Sequence, residues 1–261
     1  MQRIDIKLGF SCNNRCLFCV QGDKRHRFGP RPWEQVRADL EEGRALGAGG
    51  VVFTGGEPTL QRTLLAAIQL ARKLGYADIQ IQSNGRLFAY DGSCARLIRA
   101  GATEFSPALH GSTPEIHDQL TAAEGSYEQT VGGIRNLVAR GQRVITNTVI
   151  TSVNHEDLPA LARLLVDLGV HQFQFAFVHV LGTAARNKAW LVPRKQEIMP
   201  FVIQGLDVGR AAGVRCMTEA IPFCLMHGYE EHVAEQIIPA TRVCDAEQTL
   251  ANYTEYRLNE G

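Results

Sequence analysis

Apolar and polar positions alternate along this chain in blocks. Short runs rich in Ile, Val and Phe read as strands at 4–8, 50–53, 79–82, 104–109, 143–150 and 172–180. Longer segments with apolar residues three and four apart read as helices at 33–46, 60–74, 92–99, 127–140, 157–168 and 194–212. Leu60, Leu64, Ile68 and either Ala71 or Arg72 mark one face of the second helix, and Gly75 suits the position just past its end. Asn154 is placed to cap the helix that contains Leu158, Leu161 and Leu165. Ser112 with Glu115 has the spacing of a capping box, with Pro114 early in the same turn.

Six strand–helix units in succession predict parallel strands joined by right-handed crossovers. The strands read as continuously apolar, as covered faces require. The fold class is therefore α/β. Spacing alone fits either a doubly wound sheet or an incomplete barrel. After Gly213 the pattern weakens, which divides the chain into a core at 1–213 and an irregular extension at 214–261.

Composition narrows the function class. Lys+Arg and Asp+Glu are equal at 27 each, so no net field marks a partner such as nucleic acid or an anionic membrane. The first residues carry no long apolar stretch of a signal peptide, and no run approaches the roughly 18 residues that span a bilayer. Seven cysteines without an export signal predict a reducing, cytoplasmic setting, where they serve as metal ligands or buried thiols.

The chemistry gathers where strands end, the side on which α/β folds build active sites. Cys12, Cys16 and Cys19 follow the first strand with spacing C-x3-C-x2-C. Three thiolates fit a [4Fe–4S] cluster, ligating three irons and leaving the fourth open. A zinc clip is the alternative, and His26 could complete it. Thr54-Gly55-Gly56-Glu57-Pro58 follows the second strand, Ser83-Asn84-Gly85 the third and Leu109-His110-Gly111 the fourth. His110 and His117 read as turn or capping residues, and Cys94 as helix packing.

The cysteine motif with Phe18 before its last cysteine, together with Gly-Gly-Glu-Pro, resembles the radical S-adenosylmethionine (SAM) superfamily from Ile4 to Val180. The resemblance implies a partial (β/α)6 TIM-type barrel, a [4Fe–4S] cluster on Cys12, Cys16 and Cys19, and SAM on the open iron. It implies reductive cleavage of SAM to a 5′-deoxyadenosyl radical that takes hydrogen from a substrate. Phe18 matches a position beside the adenine, and Gly55, Gly56, Glu57 and Pro58 the segment that meets the SAM amino group. Ser83 and Asn84 match a polar site near SAM or substrate, and Asn147 a position near the ribose. Ala108 stands where many relatives carry a serine, with Ser106 two residues earlier on the same strand face. An electron donor such as flavodoxin or ferredoxin is implied.

Within the superfamily the resemblance runs to the GTP cyclase of molybdenum-cofactor biosynthesis and to the peptide maturases. Val52 and Ile145 stand where the cyclase carries basic residues for its nucleotide, which favours a peptide or small metabolite instead. Gln174, Phe175, Phe177 and His179 are candidates to line the substrate pocket, although Phe173, Phe175 and Phe177 suit a core equally. The resemblance leaves open an auxiliary [4Fe–4S] cluster on Cys216, Cys224 or Cys244 in a truncated extension. The contrasting class is a non-catalytic iron–sulfur or zinc protein.

Overall fold

A computed structural model describes residues 2–245 and 249–250. Eight parallel strands form one curled sheet in the order β7-β6-β5-β4-β3-β2-β1-β8. They are β1 (Arg3–Lys7), β2 (Gly50–Thr54), β3 (Asp78–Ser83), β4 (Glu104–Pro107), β5 (Arg143–Ile150), β6 (Gln172–Phe177), β7 (Arg215–Glu219) and β8 (Thr241–Cys244). A short β9 (Thr249–Leu250) pairs antiparallel with β8. The helices are α1 (Lys24–Arg27), α2 (Trp33–Ala45), α3 (Leu64–Lys73), α4 (Asp91–Ala100), α5 (Pro114–Thr121), α6 (Ser126–Ala139), α7 (Leu158–Asp167), α8 (Gly182–Leu191) and α9 (Lys195–Ala211). This is the partial TIM-type barrel, with its six expected units extended by β7 and β8. No helix among the described residues is long and apolar enough to cross a membrane.

The core lies between the outer face of the sheet and the helices. Ile4 and Ile6 of β1, Ile79 and Ile81 of β3, and Phe173 and Phe175 of β6 are fully buried there. Leu64, Ile68 and Ala71 of α3 pack onto this layer, and Gly75 follows the helix with φ +82°. Leu60 departs from the expected face: it ends a separate 3-10 turn and is exposed.

The inner face differs from the expectation of uniformly apolar strands. β1, β3 and β5 alternate in burial. Asp5, Gln80, Gln82 and Asn147 face inward because the interior is an open cavity rather than a packed plug.

Two capping assignments are corrected. Ser112 does not cap α5: its N–H and hydroxyl both donate to Asp157, and Thr113 precedes the helix, with Pro114 at its start as expected. Asn154 makes no capping bond. Its Oδ1 accepts from the Thr151 N–H at 2.7 Å, and its Nδ2 donates to the carbonyls of His110 and Val149 at 2.8 and 2.9 Å, fastening the end of β5 to the loop after β4.

Candidate functional site

The segment after β1 carries Cys12, Cys16 and Cys19, all half-buried free thiols. It rests on the turn after β2. The Gly56 N–H donates to the Gly9 carbonyl at 2.8 Å and the Glu57 N–H to the Ser11 carbonyl at 2.9 Å. Gly55 has φ +129°, and a Cβ there would lie 2.2 Å from the Gly9 oxygen; one on Gly56 would lie 2.3 Å from the Phe10 oxygen. Both positions demand glycine because two backbones touch. The sequence offered these glycines as a route for carbonyls to reach a ligand; in the structure they also seat the cysteine segment.

The thiols suit a cluster. Burial pushes the Cys16 thiol far up, and the neighbouring Cys19 and Cys12 push it further. Burial likewise raises Cys12, while the Asn14 N–H, 3.4 Å from its sulfur, acts in the opposite direction. Three such thiolates side by side need a polycation to relieve burial and mutual repulsion. All three thiols lie within eight residues on the one segment after β1.

Two further walls hold this segment. On one side the Arg15 and Leu17 N–H groups donate to the carbonyls of Thr121 and Leu120 at the end of α5, each at 2.9 Å. Phe18 is buried there, edge-on to the His110 ring at 4.6 Å. His110 and His117 are not turn or capping residues. Both are buried, with rings stacked at 5.7 Å; the His110 Nδ1 accepts from the Val149 N–H and the His117 Nδ1 from the His110 N–H. Burial holds His110 well below its usual range, and His117 down to about 4.

On the other side lies α8. The Thr183 N–H donates to the Cys19 carbonyl and Asn187 Nδ2 to the Leu17 carbonyl, both at 2.8 Å. A Cβ on Gly182 would lie 2.5 Å from the Val20 oxygen and 2.6 Å from that of Cys19. No amphipathic stripe marks α8, so sequence reasoning missed this brace; the one local hint is Gly182 itself.

Glu57 joins the second and third strand ends. It is fully buried, and burial raises its pKa against the pull of its hydrogen bonds. Its carboxylate accepts from the Thr59 N–H at 3.0 Å, the Ser83 hydroxyl at 2.8 Å and the Asn84 N–H at 2.8 Å. It caps the 3-10 turn Pro58–Leu60 rather than opening α3. Asn84 in turn donates to Asn13 Oδ1 at 2.6 Å. Asn84 thus lies against the cysteine segment, with Ser83 behind it on Glu57.

The strand ends surround a cavity of about 720 Å³. Cys16, Phe18, Cys19, Gly55, Ser106 and Asn147 line it. Ala108 pairs with Asn147, so Ser106 lies one step deeper in the barrel. Asn147 Oδ1 is buried with no hydrogen-bond partner among the described residues. Val52 and Ile145 also reach the cavity, as do Gln174, Phe177 and His179. Phe175 does not: it packs on α9, where a Cβ at Gly205 would lie 2.6 Å from its ring. Glu219 of β7 completes the wall; it accepts from Gln174 Nε2 and lies 3.5 Å from His179 Nε2. It fell in the irregular stretch of sequence, where no pattern singled it out.

The remaining cysteines are not brought together. Cys216 is buried in β7, Cys244 in β8 at the other edge of the sheet, and Cys224 is exposed in the turn between these strands. Cys94 is buried in α4, as expected of a packing residue.

Comparison with known proteins agrees with this geometry. The probable GTP 3′,8-cyclase of Saccharolobus solfataricus is 26% identical over 184 residues, covering 70% of this chain and 58% of that protein. The corresponding protein of Methanopyrus kandleri is 31% identical over 176 residues, covering 64% and 54%. The chain therefore spans little more than half the length of these relatives. The crystal structure of Streptococcus suis SuiB bound to S-adenosylmethionine superposes with TM-score 0.76 at 16% identity, over 99% of this chain and 62% of SuiB. The structure of anSMEcpe with bound AdoMet superposes with TM-score 0.67 at 16% identity, over 84% of this chain and 64% of that one. The family model for the Radical SAM superfamily matches residues 6–165, more than half of the chain. On that match, the chain belongs to the radical SAM superfamily of enzymes.

Proposed function

We propose that Cys12, Cys16 and Cys19 hold a [4Fe–4S] cluster, and that SAM lies between this cluster and the cavity. The observation that carries this reading is one juxtaposition. Three half-buried thiols stand on a braced segment, and two of them, Cys16 and Cys19, open onto a cavity whose wall presents the unpartnered Asn147 Oδ1. When bound, cluster and SAM supply a one-electron cleavage that yields a 5′-deoxyadenosyl radical for hydrogen abstraction. The chain supplies position and shelter. Phe18 offers its backbone beside the cysteines, and Gly55, Gly56 and Pro58 form a close-packed edge with carbonyls available to an ammonium group. Glu57 acts through Ser83 and Asn84, fixing both to the third strand end. Asn147 Oδ1 accepts a hydrogen bond from a ribose hydroxyl. The electron comes from a small reductant such as flavodoxin or ferredoxin.

The substrate is a peptide or a small metabolite. Val52 and Ile145 put aliphatic side chains on the cavity wall, and these give a triphosphate no charged partner. SuiB has been crystallised with its precursor peptide SuiA, which supports the peptide option.

Anaerobic reconstitution with iron and sulfide, reduction, and addition of SAM should produce 5′-deoxyadenosine. Cys16→Ala should lose both the cluster's visible absorbance and the product. A fully formed cluster that never cleaves SAM would leave only a structural or electron-transfer role.

A further inference from the structure

Strand register sorts the charges that line the cavity into rows. In the lowest row Arg3 and Asp78 flank Gly50, and a Cβ on Gly50 would lie 3.5 Å from a side-chain carbon of each. In the next row Glu104 pairs with Arg143 across β4 and β5 and bonds to its guanidinium at 2.8 Å. Asp5 lies in the same row, 3.5 Å from the Lys7 ammonium. Each of these three carboxylates thus has a cation beside it.

Arg215 is left over. It stands one row higher, paired with Gln172, which pairs with Ile145, two residues beyond Arg143. Both Arg215 and Gln172 line the cavity. The Arg215 side chain makes no ion pair or hydrogen bond among the described residues. It is exposed, on the end strand of the sheet, whereas Gln172 is only 6% exposed. Farther along the same face of β7 come Met217, level with Gln174 and Asn147, and then Glu219. Arg215 and Glu219 are four residues apart, about 13 Å along a strand. This wall is therefore polarised, positive at Arg215 and negative at Glu219.

We infer that Arg215, with the Gln172 amide beside it, anchors a carboxylate of the substrate one row below Asn147. The inference rests on the proposed radical SAM centre, because Asn147 is where that centre meets the cavity. A guanidinium fork matches a carboxylate with two parallel hydrogen bonds, and the Gln172 amide supplies a further N–H. The lower carboxylates already have cations, so an anion entering the cavity finds its counter-charge at Arg215. An anion in the upper rows would meet Glu219 instead, so the polarity also orients the molecule, anionic end down. Carboxylates occur on acidic side chains, at peptide C-termini and on small organic acids.

Saturation-transfer NMR of the reconstituted, SAM-loaded protein distinguishes these sources. The probes are a fully blocked Ala-Ala-Glu-Ala-Ala, an N-acetylated penta-alanine with a free C-terminus, and hexanoate, each beside its carboxamide. At least one carboxylate should bind about fivefold tighter than its amide or better, a modest step because Arg215 is open to water. The carboxylate that does so identifies the source. Arg215→Gln should erase the preference, and Arg215→Lys should restore part of it, since the charge returns without the fork. Gln172→Leu should weaken the preferred probe by about threefold, the loss of one net hydrogen bond. The anchor is overturned if no carboxylate is preferred to its amide, or if the preference survives Arg215→Gln. GTP and guanosine form a further pair. GTP binding tighter than guanosine while every carboxylate is silent would make the anion a phosphate and overturn the carboxylate assignment. SAM titration of the same samples separates the two readings. Without SAM binding the radical SAM centre itself fails; with SAM bound and no carboxylate preferred, only the anchor fails.

Discussion

Burial of His117 makes the fold sensitive to mild acid. Its Nδ1 accepts from the His110 N–H at 3.0 Å, and its Nε2 lies buried with no partner among the described residues. Burial lowers its pKa from 6.5 to about 4, partly offset by the nearby Asp118. A lowered folded pKa means that the unfolded chain takes up the proton first as pH falls. Stability is therefore intact above pH 6.5 and declines toward pH 4. At pH 5 the ratio of the two proton-binding factors is about 30, which corresponds to about 2 kcal/mol lost from this one side chain. His110 is lowered by burial and by His117, and adds a loss of the same sign. His117→Asn keeps an oxygen near the position of Nδ1 and cannot titrate. Urea unfolding of cluster-free protein at pH 7, 6 and 5, followed by tryptophan fluorescence, gives the free energy at each pH. The wild type should lose about 2 kcal/mol more than the variant between pH 7 and 5. Parallel losses in the two proteins would refute the argument, because the buried imidazole would then not be the group that resists protonation.

Two further perturbations address the walls around the cysteines. Gly56→Ala places a methyl 2.3 Å from the Phe10 oxygen and 2.6 Å from that of Ser11. Since both obstacles are backbone, the variant should lose roughly 1–3 kcal/mol and retain less iron per chain after reconstitution; full iron loading would contradict the contact. Asn187→Ala removes the donor to the Leu17 carbonyl, worth about 1 kcal/mol. Its cluster should bleach several-fold faster under a chelator, and an unchanged bleaching rate would show that α8 does not brace the segment.

Much of this architecture was legible because it depends on local pattern. Six strand–helix periods appear as apolar runs and amphipathic stripes, and the cysteine spacing announces itself. What stayed hidden depends on contacts between distant segments. Glu57 looked like a ligand contact; its partners Ser83 and Asn84 lie 26 and 27 residues away. α8 carries no stripe, because its role is to present backbone and Asn187 to a segment some 165 residues earlier in the chain. The polar inner rows were misread because parallel strands are normally covered on both faces; here one face borders a cavity. Glu219 and the strands β7 and β8 fell in a stretch with too few periods for a pattern to form.

The pairing of β8 with β1 has a consequence for biosynthesis. β1 lies between β2 and β8, and the Gln2 and Arg3 N–H groups donate to the Ala240 carbonyl. During synthesis β1 therefore acquires its second neighbour only when residues 241–244 emerge. At about 5–20 residues per second, that interval is on the order of ten to fifty seconds. Throughout it, one edge of β1 presents unpaired N–H and C=O groups to any other nascent strand. Expression yield should depend on how that edge is shielded during translation, well before any iron is delivered.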